Sequence, residues 1–145
     1  MRVISLMVLL ITVSTSAFSA TREEVLSFLE SSFKSCSYIS EVRRSDSFFN
    51  IYYNYGGVME KYEEFDLDDL KYDGDVSEYG SPILLLNCSN GACVKNFNAD
   101  YYGNWKQAKP SGSVNYNCGA NDRRIAKALK YYSIKYSSPE LNLED

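Results

Sequence analysis

A chain of 145 residues with no histidine excludes several classes of protein at once. A Ser-His-Asp or Cys-His catalytic group cannot form, and a histidine general base or metal ligand is absent. With 19 acidic and 15 basic side chains, the net charge is −4. This mild acidic surplus argues against nucleic-acid binding, which depends on clustered Lys and Arg. We therefore expect no nucleic-acid partner, no metal and no cofactor.

Residues 1–20 have the pattern of a secretory signal peptide. Arg2 precedes an apolar stretch over residues 3–13, and mostly small residues follow as far as Ala20. The apolar stretch is about half of the roughly 20 residues that a membrane-spanning helix needs, so we expect no transmembrane segment in the mature chain. Small residues permit a cut before Phe18 or before Ala20. We predict an exported protein, in the periplasm if the source is bacterial and extracellular otherwise.

Residues 21–145 are predicted to form a single domain. Removing 20 residues from 145 leaves 125, a length that fits one hydrophobic core, and no Pro- or Gly-rich linker or repeat divides them. Arg2 is the leader's only charged residue, so the remaining segment has 14 basic and 19 acidic side chains and a net charge of −5. This charge suits a protein partner that is basic or has a basic patch.

The first predicted helix begins after Thr21. The Thr21 hydroxyl and Glu24, three residues later, form the sequence pattern of a capping box. Val25, Leu29 and Phe33 then recur at helical spacing and predict one buried stripe.

Beyond residue 48 the hydrophobic period changes to two, which indicates β-strands. Phe49, Ile51, Tyr53 and Tyr55 alternate with more polar positions, and Gly56-Gly57 provides a turn into a second strand over residues 58–65. Further strands are predicted at residues 70–76, 83–88, 93–98 and 113–118, with a weaker candidate near 101–106. Six or seven short strands joined by tight turns favour an antiparallel meander that forms a barrel or a bent sheet.

Cys88 and Cys93 flank Asn90-Gly91, and Asn-Gly between apolar runs is a strong β-hairpin signal. A two-residue turn there places the cysteines opposite each other as a non-hydrogen-bonded pair. The α-carbons of such a pair lie about 4.5 Å apart, which a disulfide tolerates. We therefore predict a Cys88–Cys93 disulfide that staples a hairpin.

Four cysteines permit three pairings, and once Cys88 and Cys93 are paired, Cys36 and Cys118 remain for each other by elimination. Cys36 closes the first predicted helix and Cys118 precedes the last. A bridge between them closes 82 residues. In the chain-entropy model this is worth about 4.5 kcal/mol, against about 2 kcal/mol for the short link.

The last predicted helix covers residues 122–136, where apolar residues recur at helical spacing before Pro139. Its apolar positions are Ile125, Ala128, Leu129, Tyr132 and Tyr136.

A long antiparallel meander closed by one C-terminal amphipathic helix resembles the pleckstrin-homology-like barrel; the helix here contains Arg124-Ile125-Ala126-Lys127-Ala128-Leu129. The acidic-apolar turn Phe65-Asp66-Leu67-Asp68-Asp69-Leu70 and the C-x4-C hairpin are similar to small exported bacterial proteins built on that barrel. The resemblance covers about residues 46–136. The additional N-terminal helix departs from the minimal barrel, so a cystatin-like helix on a sheet is the alternative. Such a fold does not assign a function.

An acidic segment and a tyrosine-rich loop are the predicted contact surface. Tyrosine provides a large contact area with few rotatable bonds, and the chain has 13 of them. No calcium site is predicted, because the acidic turn at residues 66–71 does not follow the calcium-loop pattern. The candidate partner-binding residues are Glu63, Glu64, Asp66, Asp69, Tyr101, Tyr102 and Trp105, and Tyr52 is a further aromatic candidate on the outer face of its strand.

These observations favour a non-enzymatic exported binding protein, with no catalytic residues. We expect an immunity or inhibitor protein that blocks a secreted toxin or hydrolase. One alternative is a glycoside hydrolase, which needs two carboxylates in a concave site. Another is an envelope structural or lipid-sensing module, which predicts a barrel mouth lined by apolar side chains.

Overall fold

The structure, a computed structural model, describes residues 19–56, 59–78 and 81–136. Residues 1–18 of the predicted leader, Gly57 of the predicted turn, Val58 at the start of the strand predicted after it, and Pro139 lie outside the described residues. The described part is α+β, with two helices and eight strands in antiparallel sheets, which confirms the predicted fold class. The helices are α1 (Arg22–Phe33) and α2 (Asp122–Lys135), and the strands are β1 (Ile39–Ser45), β2 (Phe48–Asn54), β3 (Met59–Asp66), β4 (Leu70–Glu78), β5 (Ser81–Cys88), β6 (Lys95–Ala99), β7 (Trp105–Gln107) and β8 (Ser113–Tyr116).

The strands form two sheets rather than one closed barrel. The five-stranded sheet has the order β1-β2-β3-β6-β7, and the three-stranded sheet has the order β4-β5-β8. The chain passes from the first sheet to the second through a 3-10 turn at Leu67–Asp69. An isolated bridge between Val94 and Ser111 joins the segments that enter β6 and β8. Of the two predicted forms, the described residues therefore adopt the bent sheet and do not close into a barrel.

Helix α1 forms as its sequence predicts. The Glu24 amide donates to the Thr21 hydroxyl at 3.2 Å, and the Thr21 amide donates to the Glu24 carboxylate at 2.7 Å, which completes the capping box. Helix α1 packs on β1 and α2, and α2 packs on β4 and β5. The Phe33 ring at the end of α1 is fully buried against Phe49, with ring centroids 5.7 Å apart. The core therefore lies between the two helices and the inner faces of the sheets.

Strand β1 is absent from the sequence prediction, which begins the first sheet near Phe49. Its inner face carries Arg44 two residues after the buried Val42, so the apolar alternation is interrupted. The Arg44 guanidinium is nevertheless almost covered, because it donates to Glu30 at 3.0 Å and to Glu23 at 2.5 Å on α1. A partly buried cation with partners on α1 therefore occupies a place where the pattern predicts an apolar residue.

The predicted hairpin at Asn90-Gly91 is wrong, although both predicted disulfides are confirmed. Strand β5 pairs with β4 and β8, whereas β6 pairs with β3 and β7, so the Cys88–Cys93 disulfide spans a crossing between sheets. The Cys88 amide donates to the Gly112 carbonyl at 2.7 Å and the Ser89 amide to the Asp69 carbonyl at 2.8 Å, which prevents hairpin pairing. The other disulfide, Cys36–Cys118, joins the end of α1 to the start of a 3-10 turn before α2.

We expect acid to destabilise the contact between α1 and β1. Hydrogen bonds from Arg44 hold the pKa of Glu23 below its ordinary value of 4.5, and those from Arg22 hold the pKa of Asp46 below 3.8. The unfolded chain therefore binds more protons than the folded chain in this range, and stability falls as the pH drops below these values. Urea unfolding at pH 7 and pH 3 measures the effect. Arg44→Gln should flatten the pH dependence; an equal or higher urea midpoint at pH 3 would contradict the assignment.

Candidate functional site

The outer face of the five-stranded sheet carries a row of aromatic side chains, and the two helices of the described residues pack elsewhere, α1 on β1 and α2, and α2 on β4 and β5. Alternation along β2 and β3 points Tyr52 and Tyr62 to this face, because Phe49, Ile51 and Phe65 occupy the core. The register pairs Tyr52 with Tyr62 and Tyr62 with Phe97, while Trp105 lies opposite Ala99 on the same face. We call Tyr52, Tyr62, Phe97 and Trp105 the aromatic row.

Ring stacking orders the aromatic row. The Tyr62 ring lies between those of Tyr52 and Phe97, with centroids 5.0 and 4.4 Å away, and Trp105 meets Tyr62 edge to face at 4.8 Å. Tyr52 is only 8% exposed, whereas Trp105 is 37% exposed. Because the tyrosine and phenylalanine rings cover each other's faces, the row presents ring edges and hydroxyl groups to solvent.

Charged side chains border the aromatic row. The Arg43 guanidinium lies 4.8 Å from the centre of the Tyr52 ring and is paired with Glu41 at 2.6 Å. On the neighbouring strands, Lys95 is paired with Glu64 at 3.0 Å. Partial burial and the Glu64 charge raise the pKa of Tyr62, so its hydroxyl stays protonated at neutral pH. An apolar centre with a polar rim is the usual composition of a protein-binding surface.

The β6–β7 turn extends this surface with two tyrosines. Tyr101 is 96% exposed and Tyr102 is 84% exposed. The Asp100 carboxylate fixes the turn, because it accepts hydrogen bonds from the Tyr102 and Asn104 amides at 2.9 Å each. These hydrogen bonds, first that from Asn104, lower the pKa of Asp100. The turn leads directly into Trp105, so the predicted residues Tyr101, Tyr102 and Trp105 lie beside one another.

The predicted acidic residues do not form one surface. Glu64 lies on the same face as the aromatic row, in line with Tyr62. Asp66 caps the turn between the two sheets, where its carboxylate accepts from the Asp68 amide, and Asp69 is exposed in that same turn. Glu63 points to the inner face and is only 7% exposed. The candidate surface therefore keeps Glu64, Tyr101, Tyr102 and Trp105, adds Tyr62 and Phe97, and excludes Glu63.

Glu63 lies at the base of a polar cleft that the sequence analysis does not predict. Its carboxylate accepts hydrogen bonds from the Tyr53 hydroxyl at 2.6 Å and the Tyr116 hydroxyl at 3.4 Å, and it is paired with Lys61 at 2.7 Å. Burial, followed by the charge of Glu63, raises the pKa of Tyr53; burial likewise raises the pKa of Tyr116. The sequence signal for this ion pair is the Lys61-x-Glu63 spacing, which puts opposite charges on one face of β3.

The polar cleft contains one carboxylate among its described lining residues, that of Glu63. Glycoside hydrolysis by the usual route needs two carboxyl groups that flank the scissile bond. The described lining supplies no partner for Glu63 in that role.

An apolar groove lies between α1 and α2, with a volume of about 590 Å³. Phe28, Ala128 and Tyr131 line it, and the Arg124 guanidinium lies 5.5 Å from the centre of the Phe28 ring. The lipid-sensing alternative places its apolar surface at a barrel mouth, whereas this groove is formed by helices.

Comparisons with known proteins gave no match: no protein-family model, curated protein or solved structure matches the chain. Within residues 19–56, 59–78 and 81–136, neither helix is long and apolar enough to cross a membrane. The same residues contain no group of three or more Cys, Asp or Glu side chains placed to hold a metal ion. The aromatic row and the polar cleft are therefore the features of the described residues that indicate a function.

Proposed function

We propose that this protein is an exported, non-enzymatic protein that binds and blocks another protein, and that the aromatic row is its contact face. The proposed target is a secreted toxin or hydrolase. The observation that carries the proposal is a stacked row of four aromatic side chains on the outer face of the sheet, with Trp105 its most exposed member, continued by the exposed Tyr101 and Tyr102. Tyr, Trp and Arg are the residues that most often dominate the energy of protein interfaces.

The ring geometry favours a protein partner over a flat sugar ring on this face. A sugar ring stacks on an open aromatic face, but Tyr62 is sandwiched between Tyr52 and Phe97. Edges and hydroxyl groups are suited to side-chain and backbone groups of another protein. The disulfides add rigidity to the scaffold, and a contact surface that is ordered before binding loses less entropy on association.

Charge around the aromatic row favours a partner with basic side chains. Three carboxylates near the row are paired with cations: Glu41 with Arg43, Glu64 with Lys95, and Asp100 with Lys106. The exposed Glu60 lies on the same face of β3, and its charge agrees with the overall acidic charge of the chain. We therefore propose a partner that presents an apolar centre ringed by Lys or Arg.

Export is part of the proposal, and two hydrogen bonds to Ala20 support a proposed position for the end of the leader. The Ala20 carbonyl accepts hydrogen bonds from the hydroxyls of Tyr131 at 3.1 Å and Tyr136 at 2.7 Å. A cut after Ala20 would remove this acceptor, so we propose cleavage before Ala20. Two disulfides agree with an oxidising compartment.

Trp105→Ala is expected to weaken binding to the partner by about tenfold or more, because it removes the most accessible ring of the row. The partner is first captured from the secreted and envelope proteins of the source cells and identified, and its Kd and inhibition are then measured with purified components. Tyr101→Ala/Tyr102→Ala should also weaken binding.

The matched control is Tyr38→Ala, which removes an exposed tyrosine that lies away from the aromatic row. Thermal unfolding of each variant shows that the fold is retained. Wild-type affinity in both the Trp105 variant and the double tyrosine variant would refute the proposed contact face.

A further inference from the structure

The polar cleft is a built concave site on the inner side of the five-stranded sheet, away from the aromatic row. Its volume is about 550 Å³, within the range of about 300–1,000 Å³ that is usual for small-molecule sites. Residues from β3 and β6 form one wall, and the segment that contains β8 forms the other. A second concavity of about 360 Å³ adjoins it, because Tyr53, Tyr55 and Asn115 line both.

Charges at the base of the polar cleft are already matched. Both Glu63 oxygens are engaged, one by Lys61 and the other by the hydroxyls of Tyr53 and Tyr116. The walls present the exposed amides of Asn98 and Asn115. An amide offers both donors and acceptors, so these walls suit a neutral ligand that is rich in both.

A stack of tyrosines forms the rim of the cleft. The Tyr55 ring lies between Tyr53 and Tyr38, with centroids 6.0 and 5.1 Å away. Tyr38 is 65% exposed and Tyr55 is 47% exposed, so burial does not explain their positions. The backbone of Tyr38 has a φ of 64°, a left-handed conformation that costs free energy in a bulky residue. The Asn54 amide holds it by donating to the Tyr38 carbonyl at 2.8 Å.

We propose that the polar cleft binds a neutral saccharide. Asn98 and Asn115 bond the sugar hydroxyls, and the outer tyrosine of the rim stack presents a ring face to the C–H face of a sugar ring. A nucleotide is disfavoured, because Lys61 is committed to Glu63 and the described lining leaves Lys109 as the remaining cation. The site is independent of the proposed protein-binding face.

The test is isothermal titration calorimetry of the processed, disulfide-bonded protein with four probes: chitotriose, maltotriose, mannotriose and galactotriose. At least one should bind with a Kd below about 1 mM. Asn115→Ala and Tyr38→Ala should each weaken that binding by about tenfold or more, because each removes a direct contact, Tyr38 being the outer ring of the rim stack. Both side chains are exposed, and thermal unfolding verifies that the variants fold.

Trp105→Ala is the control, since it changes the aromatic row and leaves the cleft intact. It should leave saccharide binding unchanged and weaken protein binding, whereas Asn115→Ala should do the opposite, so the two proposals fail separately. Absence of binding to all four sugars would overturn the saccharide site. Unchanged sugar affinity in both cleft variants, or loss of protein binding in those variants instead, would also overturn it.

Discussion

Replacing Cys36 and Cys118 with serine is expected to lower the free energy of unfolding by about 4.5 kcal/mol, against about 2 kcal/mol for the same change at Cys88 and Cys93. The difference follows from loop length, since the first disulfide closes 82 residues and the second closes 5. Guanidinium unfolding of the two double variants and the wild type measures it. A single domain of this size has about 5–15 kcal/mol in total, so the first variant is expected to be marginal.

The surroundings of Cys36–Cys118 strengthen this expectation. Both half-cystines are buried, and the Asp122 carboxylate accepts from the Cys118 amide at 2.8 Å. The Ser37 amide donates to the Asn117 carbonyl at 2.7 Å in the same junction. The bridge therefore holds the end of α1 against the start of α2. Equal losses in the two double variants, or a larger loss at Cys88 and Cys93, would contradict the loop-length argument.

Elements whose signals are local were predicted from the sequence. The capping box at Thr21 and the buried stripe of α1 depend on contacts within one helix. Alternation in β2 placed Phe49, Ile51 and Tyr53 on the buried face, and Tyr52 on the outer one. Each of these features is set by residues no more than eight positions apart, so the sequence specifies it directly.

Features that depend on distant partners could not be predicted in the same way. Asn90-Gly91 has the composition of a tight hairpin, but the strands on either side find partners in different sheets. Arg44 interrupts the pattern of β1 because its partners lie on α1. The aromatic row needs the register of β2, β3 and β6 as well as the alternation along each strand, so only Tyr52 and Trp105 were identified beforehand.

The inward position of Glu63 also depends on distant partners, Tyr53 and Tyr116. Glu64, one residue away on the outer face, is a matched control for a change at Glu63. Glu63→Lys is expected to lower the free energy of unfolding by about 3–5 kcal/mol, because it replaces a buried carboxylate, hydrogen-bonded by Tyr53 and Tyr116, with a cation beside the partly exposed Lys61. Glu64→Lys should cost less than about 1 kcal/mol, since the pair with Lys95 is exposed on the outer face.

Urea unfolding followed by tryptophan fluorescence compares the two variants. If Glu63→Lys does not fold, Glu63→Gln serves in its place, with an expected loss of about 1–3 kcal/mol from weakened hydrogen bonds to Tyr53 and Tyr116. Equal stability of the variants at positions 63 and 64 would show that the two side chains share one environment and would refute the inward placement of Glu63. Because the two faces of β3 serve different purposes, charge reversal as a probe of partner binding belongs at Glu64, where a change in affinity is not confounded by loss of the fold.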